Sequence, residues 1–188
     1  MQVCEDAEMS TTAEKFVTVN QGFRARLVGL TEEQLAAPTP CEGWTANDCI
    51  DHVLSIYLMV LTSTGADVQD LEGASPLERF DHLAPLLEAA VSDPVTGGQE
   101  VKSPFGPMAL KQLVSGIVIH DTLVHTWDLA KAVDGDLQLD EELVTESFAK
   151  MLPMDEGLRN HGAFAEKRSA PEGADIQTQF LSFLGRTV

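Results

Sequence analysis

Apolar residues recur every three or four positions in four long stretches of the chain, and this spacing predicts four long helices. The predicted helices cover about residues 11–29, 45–65, 75–91 and 108–133, with Ser10 or Thr11 as the cap of the first. Serine or threonine stands at the start of the first three, where its side chain can accept hydrogen bonds from free backbone N–H groups. The alternation typical of strands is almost absent. The pattern therefore favours an all-α fold in which four helices form a bundle.

Shorter elements are predicted around these helices. Thr31, followed three residues later by Gln34, indicates a capping box that opens a short helical turn. Residues 93–107 are rich in proline and glycine, and they predict a short extended or hairpin segment. Gly135 is expected to cap the end of the fourth long helix. The remaining chain is predicted as a helix at 140–152, an irregular polar segment at 153–173 and an apolar tail that docks on the body at 176–184.

The composition predicts one compact domain spanning residues 1–188. A hydrophobic content of 44% in 188 residues is enough for a core without a partner or a disulfide framework. Twelve basic against thirty acidic residues give a net charge of −18, since 12 − 30 = −18. This charge repels phosphate backbones and anionic lipid surfaces, so nucleic acid and membranes are not expected as partners.

The beginning of the chain and the cysteines predict a cytoplasmic protein. The first ten residues are acidic and lack the basic and apolar regions of a secretion signal, and no apolar stretch is long enough to span a bilayer. Cys4, Cys41 and Cys49 are an odd number without paired close spacing. Free thiols in a reducing compartment fit this pattern better than disulfides or a cysteine-rich zinc site.

The candidate chemistry lies on the fourth long helix. Asp121 and His125 are four residues apart, so both side chains project from one face. A carboxylate and an imidazole at this spacing can share a metal ion, and His52, in the apolar second helix, is the best third ligand. This set suits zinc or nickel. The spacing alone is equally compatible with an ion pair between Asp121 and His125, and a single helical histidine such as His52 is more often a core or surface residue.

Three neighbouring residues have other interpretations. His120 points about 100° away from Asp121 around the helix and is expected outside the site. Cys49 is interpreted as a small buried apolar residue, with a role as a reserve thiolate ligand as the alternative. Asp128 is expected to have a structural role, although it could also orient His125 through a hydrogen bond.

Three segments resemble a known family. They are TPCEGWTANDCIDHV at 39–53, VHTWDLAKAVDG at 124–135 and FLSFLGRTV at 180–188. They are similar to actinobacterial metal-binding proteins of the DinB/YfiT-like superfamily, which are related to the N-terminal domain of mycothiol-dependent maleylpyruvate isomerase. The similar segments occur in matching order over nearly the whole chain.

The resemblance implies a DinB-like four-helix bundle, a divalent metal, a low-molecular-weight thiol such as mycothiol, and a homodimer. The family's first metal-binding histidine falls on His52, and its later glutamate and histidine fall on Asp121 and His125. Asp121 is one methylene shorter than that glutamate, so the ion would lie closer to the fourth helix or bind more weakly. The chain ends where the isomerase continues into a second domain, so maleylpyruvate is not implied as the substrate.

These features lead to three functional hypotheses. The first is an enzyme in which a metal ion, with zinc preferred over nickel, activates a mycothiol-like thiol for transfer to, or isomerisation of, a small electrophile. The second is a hydrolase that uses the same ligands with metal-bound hydroxide. The third is a noncatalytic bundle that binds a metal or a small ligand, and it predicts a site without an open coordination position.

Overall fold

A computed structural model of the chain describes residues 10–103, 106–160 and 165–188; Cys4 lies outside these ranges. Four long helices dominate: α1 (Thr12–Leu27), α3 (Ala46–Ser63), α4 (Pro76–Ser92) and α7 (Ile119–Ala132). The shorter helices are α2 (Glu32–Leu35), α5 (Pro94–Gly98), α6 (Leu110–Leu113), α8 (Glu141–Met151), α9 (Asp155–Asn160) and α10 (Ile176–Phe183). Among these described residues, no helix has both the length and the apolar character needed to cross a membrane.

The four long helices form a closed ring of contacts. Helix α1 packs against α4 and α7, and α3 packs against the same two helices. Large side chains fill the space between them, and the largest fully buried ones include Phe16, Phe23, Tyr57, Phe80 and Trp127. The predicted all-α four-helix bundle is therefore confirmed. The direct contact between α3 and α7 brings together the two helices that carry the candidate ligands.

The predicted helix starts are also confirmed. Thr11, Thr45 and Ser75 each accept a hydrogen bond from the backbone N–H three residues later, and the acidic residue at that position contacts the cap in return. Such a cap contributes roughly 0.5–2 kcal/mol to helix stability. Because Thr45 fixes the first turn of α3, it also fixes the position of His52 two turns further along.

The predicted hairpin is present as a small antiparallel pair, formed by β1 (Glu100–Val101) and β2 (Met108–Ala109). The predicted fourth long helix over 108–133 is present over residues 110–132, but Met108 and Ala109 belong to β2 and the helix is not an α-helix throughout. The chain passes from β2 into α6, then through a π turn at Val114–Val118, and only then into α7. The N–H of Ile119 donates to the carbonyl of Val114, five residues back, so one extra residue is inserted before the helix that carries Asp121.

Two predictions near the C-terminal half needed correction. Helix α7 ends with Asp134, not Gly135, in the left-handed region at φ 53°, and Gly135 N–H donates to the carbonyl of Ala130 at 2.8 Å. This is a Schellman-type end in which Asp134 takes the position usually held by glycine. The segment 153–173 is not wholly irregular, because a 3₁₀ turn at Leu152–Met154 and α9 lie within or beside it. The one-domain prediction for 1–188 stays a prediction.

Candidate metal centre

The adjacent helices α3 and α7 bring His52, Asp121 and His125 together. Oδ1 of Asp121 lies 3.2 Å from Nε2 of His52 and 3.6 Å from Nε2 of His125. The two imidazole rings meet edge to face, with centroids 4.8 Å apart. One ligand atom from each residue lies within 4.8 Å of the other two, so the three could hold one metal ion. The structure thus brings all three predicted ligands to one place; their binding of a metal stays a prediction.

The cluster is reachable from solvent on one side. The side chain of His52 is 31% exposed and that of Asp121 is 23% exposed, whereas His125 is 10% exposed. In the part of the chain that the structure describes, no fourth His, Cys, Asp or Glu joins this set of three. A site with three protein ligands and access to solvent keeps a coordination position for a small ligand, as catalytic metal sites do.

The environment of the Oδ2 atom of Asp121 favours a bound cation. It is buried and has no hydrogen-bond partner among the described residues. A buried carboxylate oxygen without a donor is unfavourable, because it has lost water without gaining another partner. A divalent ion between the two imidazoles and this carboxylate would supply the missing positive charge. The unbonded Oδ2 atom therefore supports a metal site independently of the family resemblance.

Trp44, which immediately precedes the N-cap residue Thr45 of α3, covers one side of the cluster. Its ring centroid lies 5.0 Å from that of His52 and 5.6 Å from that of His125, and it is nearly parallel to the His125 ring at 26°. The indole therefore contacts both imidazoles and restricts their rotation. It also presents an apolar wall beside both imidazoles, which limits water on that side of the rings.

Asp128 holds the other edge of His125. Its Oδ2 lies 3.1 Å from Nδ1 of His125, and its two oxygens accept hydrogen bonds from Nε and Nη2 of Arg186 at 3.2 and 2.7 Å. Burial alone would raise the pKa of the Asp128 carboxyl, but the bonds from His125 and Arg186 outweigh burial and lower the pKa to about 2. Asp128 is thus an anion that accepts a hydrogen bond from Nδ1–H of His125, and the unprotonated Nε2 of His125 faces Asp121.

Cys41 lies beside the same carboxylate. Its Sγ donates to Oδ2 of Asp128 at 3.3 Å, and Nη2 of Arg186 lies 3.6 Å from the sulfur. Burial raises the pKa of this thiol to about 12, and the neighbouring Asp128 charge adds to the effect. Cys41 is therefore a protonated thiol in this setting and an unreactive one. Together with His125 and Asp128 it forms a second group whose atoms lie within metal-binding distance of one another.

Cys49 and His120 lie outside the cluster, as predicted. Cys49 is fully buried, and its Sγ lies 3.7 Å from the carbonyl oxygen of His125. His120 is buried on a different face of α7, where Nδ1 lies 2.7 Å from Oγ of Ser147. Burial lowers the pKa of His120 to about 4. Neither residue contributes an atom to either candidate ligand set of the described chain.

Three residues around the site were missed by reasoning from sequence. Trp44, Cys41 and Arg186 each contact a candidate ligand or its hydrogen-bond partner, yet none falls at helical spacing from those ligands. The signal that could have found them is their position: the first two lie in segment 39–53 and the third lies in segment 180–188, both of which carry the family resemblance.

Comparisons with known proteins agree with the resemblance. Residues 18–130 match the family model described as the mycothiol maleylpyruvate isomerase N-terminal domain. The chain is 33% identical over 178 residues to two Mycobacterium tuberculosis proteins, named Uncharacterized protein MT0763 in strain CDC 1551 / Oshkosh and Uncharacterized protein Rv0738 in strain H37Rv. Each match covers 88% of this chain and 92% of the relative. No solved structure gives a significant match.

Proposed function

The chain belongs to the mycothiol maleylpyruvate isomerase N-terminal domain family, and from that premise we propose that it is a divalent-metal-dependent enzyme that uses mycothiol or a similar low-molecular-weight thiol to transform a small electrophile. The reaction class is transfer or isomerisation. The observation that carries the proposal is the convergence of His52, Asp121 and His125 around a buried carboxylate oxygen that has no hydrogen-bond partner in the described part of the chain.

The donor set favours zinc, with nickel as the alternative. Two imidazole nitrogens and one carboxylate oxygen are common zinc ligands, and three protein ligands are typical of catalytic rather than structural sites. His52 and His125 would offer their Nε2 lone pairs, and Asp121 would offer its negative charge. When bound, the ion supplies the positive charge that keeps a coordinated thiol deprotonated at neutral pH.

The protein's own residues prepare the site for such a ligand. Asp128 fixes the orientation of His125, and the Trp44 ring lies against both imidazoles. The exposed edge of His52 leaves an approach from solvent, so a small thiol and a small electrophile could meet there. The family description supports mycothiol as the thiol, although it does not identify the electrophile. A cytoplasmic location and a homodimer stay predictions.

Metal content is the first test. Purified protein is incubated with zinc, cobalt or nickel, dialysed against metal-free buffer and measured by elemental mass spectrometry. We expect stoichiometric metal in the wild type and little in His52→Ala or His125→Ala. His82→Ala is the matched control, because His82 lies on α4 and contacts the carbonyl of Gln69 instead of the cluster. Full metal retention in both site variants would rule out this ligand set.

The thiol is tested on the cobalt-loaded protein. Mycothiol is titrated into it while the visible and near-ultraviolet absorption is followed, with S-methylated mycothiol as the control that cannot form a thiolate. We expect a thiolate-to-cobalt absorption with mycothiol only. A metal-loaded protein whose spectrum does not respond to mycothiol would contradict the thiol-dependent function and leave hydrolysis or noncatalytic binding as the explanation.

A further inference from the structure

Asp128 lies one turn beyond His125 on α7, and its side chain is completely buried. Three donors converge on its Oδ2 atom: Nδ1 of His125, Nη2 of Arg186 and Sγ of Cys41. The guanidinium also contacts the other oxygen, so it binds the carboxylate with two hydrogen bonds. A carboxylate held by this many donors is fixed in position, and the imidazole that donates to it is fixed as well.

Arg186 reaches this carboxylate from the segment that follows α10. Its side chain is 11% exposed, and Nη1 donates to the carbonyl of Leu184 at 3.1 Å, which anchors the guanidinium at its base. Without Arg186, Asp128 would be a buried anion with only a thiol and an imidazole beside it, an arrangement that favours turning the ring or admitting water. The orientation of His125 therefore depends on a residue 58 positions away from Asp128 along the chain.

Arg186 also contacts the second group of candidate ligands. Cys41, His125 and Asp128 offer atoms within 4.8 Å of one another. Arg186 contacts two of these three residues, since Nη2 lies 2.7 Å from Oδ2 of Asp128 and 3.6 Å from Sγ of Cys41. A fixed positive charge at this point repels a metal ion. The first group, with His52 and Asp121, has no arginine or lysine bonded to it among the described residues.

We infer that Arg186, acting through Asp128, is a positioning residue that turns Nε2 of His125 toward His52 and Asp121 and keeps a metal ion away from Cys41. The effect on metal binding rests on the proposed function, because the orientation of His125 matters for it only if His52, Asp121 and His125 bind a metal. Its geometric part does not, since it concerns the tautomer and orientation of one imidazole in the metal-free protein.

The geometric part is tested without metal. Long-range proton–nitrogen correlation spectra of the full-length, metal-free chain report which ring nitrogen of His125 carries the proton. We expect Nδ1 to be protonated in the wild type and in Arg24→Met, a matched variant whose arginine pairs with Asp81 of α4. In Arg186→Met we expect a mixture of the two tautomers. An unchanged wild-type tautomer in Arg186→Met would overturn the inference.

The second test uses cobalt. Competition with a chelator gives the affinity of each variant, and we expect Arg186→Met to bind roughly 10–100-fold more weakly than the wild type, the loss typical of removing a residue behind a ligand. A thiolate-to-cobalt absorption should develop in Arg186→Met and vanish in Arg186→Met combined with Cys41→Ser. Wild-type affinity together with no such absorption would contradict the inference.

A conservative variant, Arg186→Lys, keeps the inference testable if Arg186→Met does not fold. Arg186→Lys keeps the charge but cannot bind both oxygens of Asp128, so its cobalt affinity should fall between those of the wild type and Arg186→Met. If Arg186→Met does not give a helical circular dichroism spectrum, the lysine variant decides, and affinity equal to the wild type overturns the inference. A wild-type protein that binds no cobalt but shows the expected tautomers defeats the proposed function and leaves the positioning role intact.

Discussion

Nε2 of His52 on α3 lies 3.2 Å from Oδ1 of Asp121 on α7. The two residues are 69 positions apart, so their contact depends on how the two helices pack and not on local sequence. The contact satisfies one carboxylate oxygen, whereas the other, Oδ2, has no hydrogen-bond partner within residues 10–103, 106–160 and 165–188. If Asp121 served only as an ion-pair partner between α7 and α3, both of its carboxylate oxygens should accept hydrogen bonds. A carboxylate with one bonded and one unbonded oxygen, next to two imidazoles, is instead the arrangement expected of a cation-binding site.

Replacing Asp121 separates these two interpretations. Asp121→Asn removes the negative charge but keeps nearly the same shape, so zinc affinity should fall at least about tenfold, which corresponds to about 1.4 kcal/mol. Asp121→Glu introduces the residue that the family resemblance places there, and it should bind zinc as well as the wild type or better. Affinities are measured by competition with a coloured chelator. Equal zinc binding by Asp121→Asn and the wild type would show that this carboxylate is not a ligand.

Trp44 should report metal binding by its fluorescence. Its ring lies within 6 Å of both imidazole rings, whereas Trp127 is buried in the core of the bundle. Cobalt is an efficient quencher at short range, so it should reduce the emission of the wild type. Most of this quenching should be lost in Trp44→Phe and kept in Trp127→Phe. Quenching that survives intact in Trp44→Phe would place the bound ion away from the indole.

His120 should make stability depend on pH in a defined window. Burial, reinforced by Lys150 and opposed by Glu146, lowers its folded-state pKa from 6.5 to about 4. Above pH 6.5 the imidazole is neutral in both states. Between pH 6.5 and 4 only the unfolded chain takes up the proton, so the free energy of unfolding should fall as pH falls, by up to about 3 kcal/mol.

Urea unfolding across that pH window checks this prediction. His120→Gln can still form a hydrogen bond with Ser147 but does not titrate, so its free energy of unfolding should fall less between pH 6.5 and 4 than that of the wild type. His82→Gln, at a histidine that is not buried, serves as the comparison and should follow the wild type. Parallel curves for the wild type and His120→Gln would contradict the assignment of His120 as a buried neutral imidazole.

Tyr57 should stabilise the bundle through its hydroxyl. The hydroxyl donates to Oδ1 of Asn20 at 2.5 Å and lies 3.0 Å from Oγ1 of Thr122, so it links three long helices inside the core. Tyr57→Phe leaves these buried groups short of a partner, and we expect a loss of about 1–3 kcal/mol in the free energy of unfolding. Removal of an exposed hydroxyl on the same helix, Thr62→Ala, should change it by less than about 0.5 kcal/mol. A Tyr57→Phe protein as stable as the wild type would show that the network is dispensable.

Helical spacing and capping residues were sufficient to predict the architecture. The box formed by Thr45 and Asp48 marks the start of α3, and the four-residue interval between Asp121 and His125 places both on one face, because both signals are local. The partnership with His52 could not be derived in this way. It required the packing of α3 against α7. The sequence offered His52 only as the best candidate for a third ligand, and the family resemblance supported that choice.

The remaining features lack a local signature. The contact between Arg186 and Asp128 spans 58 positions and depends on where the C-terminal segment docks. Gly135 was expected to take the left-handed position at the end of α7 because glycine does so at the lowest cost, yet aspartate also tolerates it, and Asp134 is the residue that does. Backbone hydrogen bonds to the fifth preceding residue, as in Val114–Val118, leave no trace in composition.

The π turn has a consequence for comparing this chain with its relatives. A helix that contains one additional residue in a single turn keeps both flanks in place if that residue is deleted. A one-residue deletion between Asp121 and His125 would instead rotate one of these side chains by about 100° relative to the other. Relatives can therefore differ by one residue at 114–118 without losing the arrangement on α7. An alignment that forces equal length through this turn would pair the wrong residues on one side of it, so a gap should be permitted there.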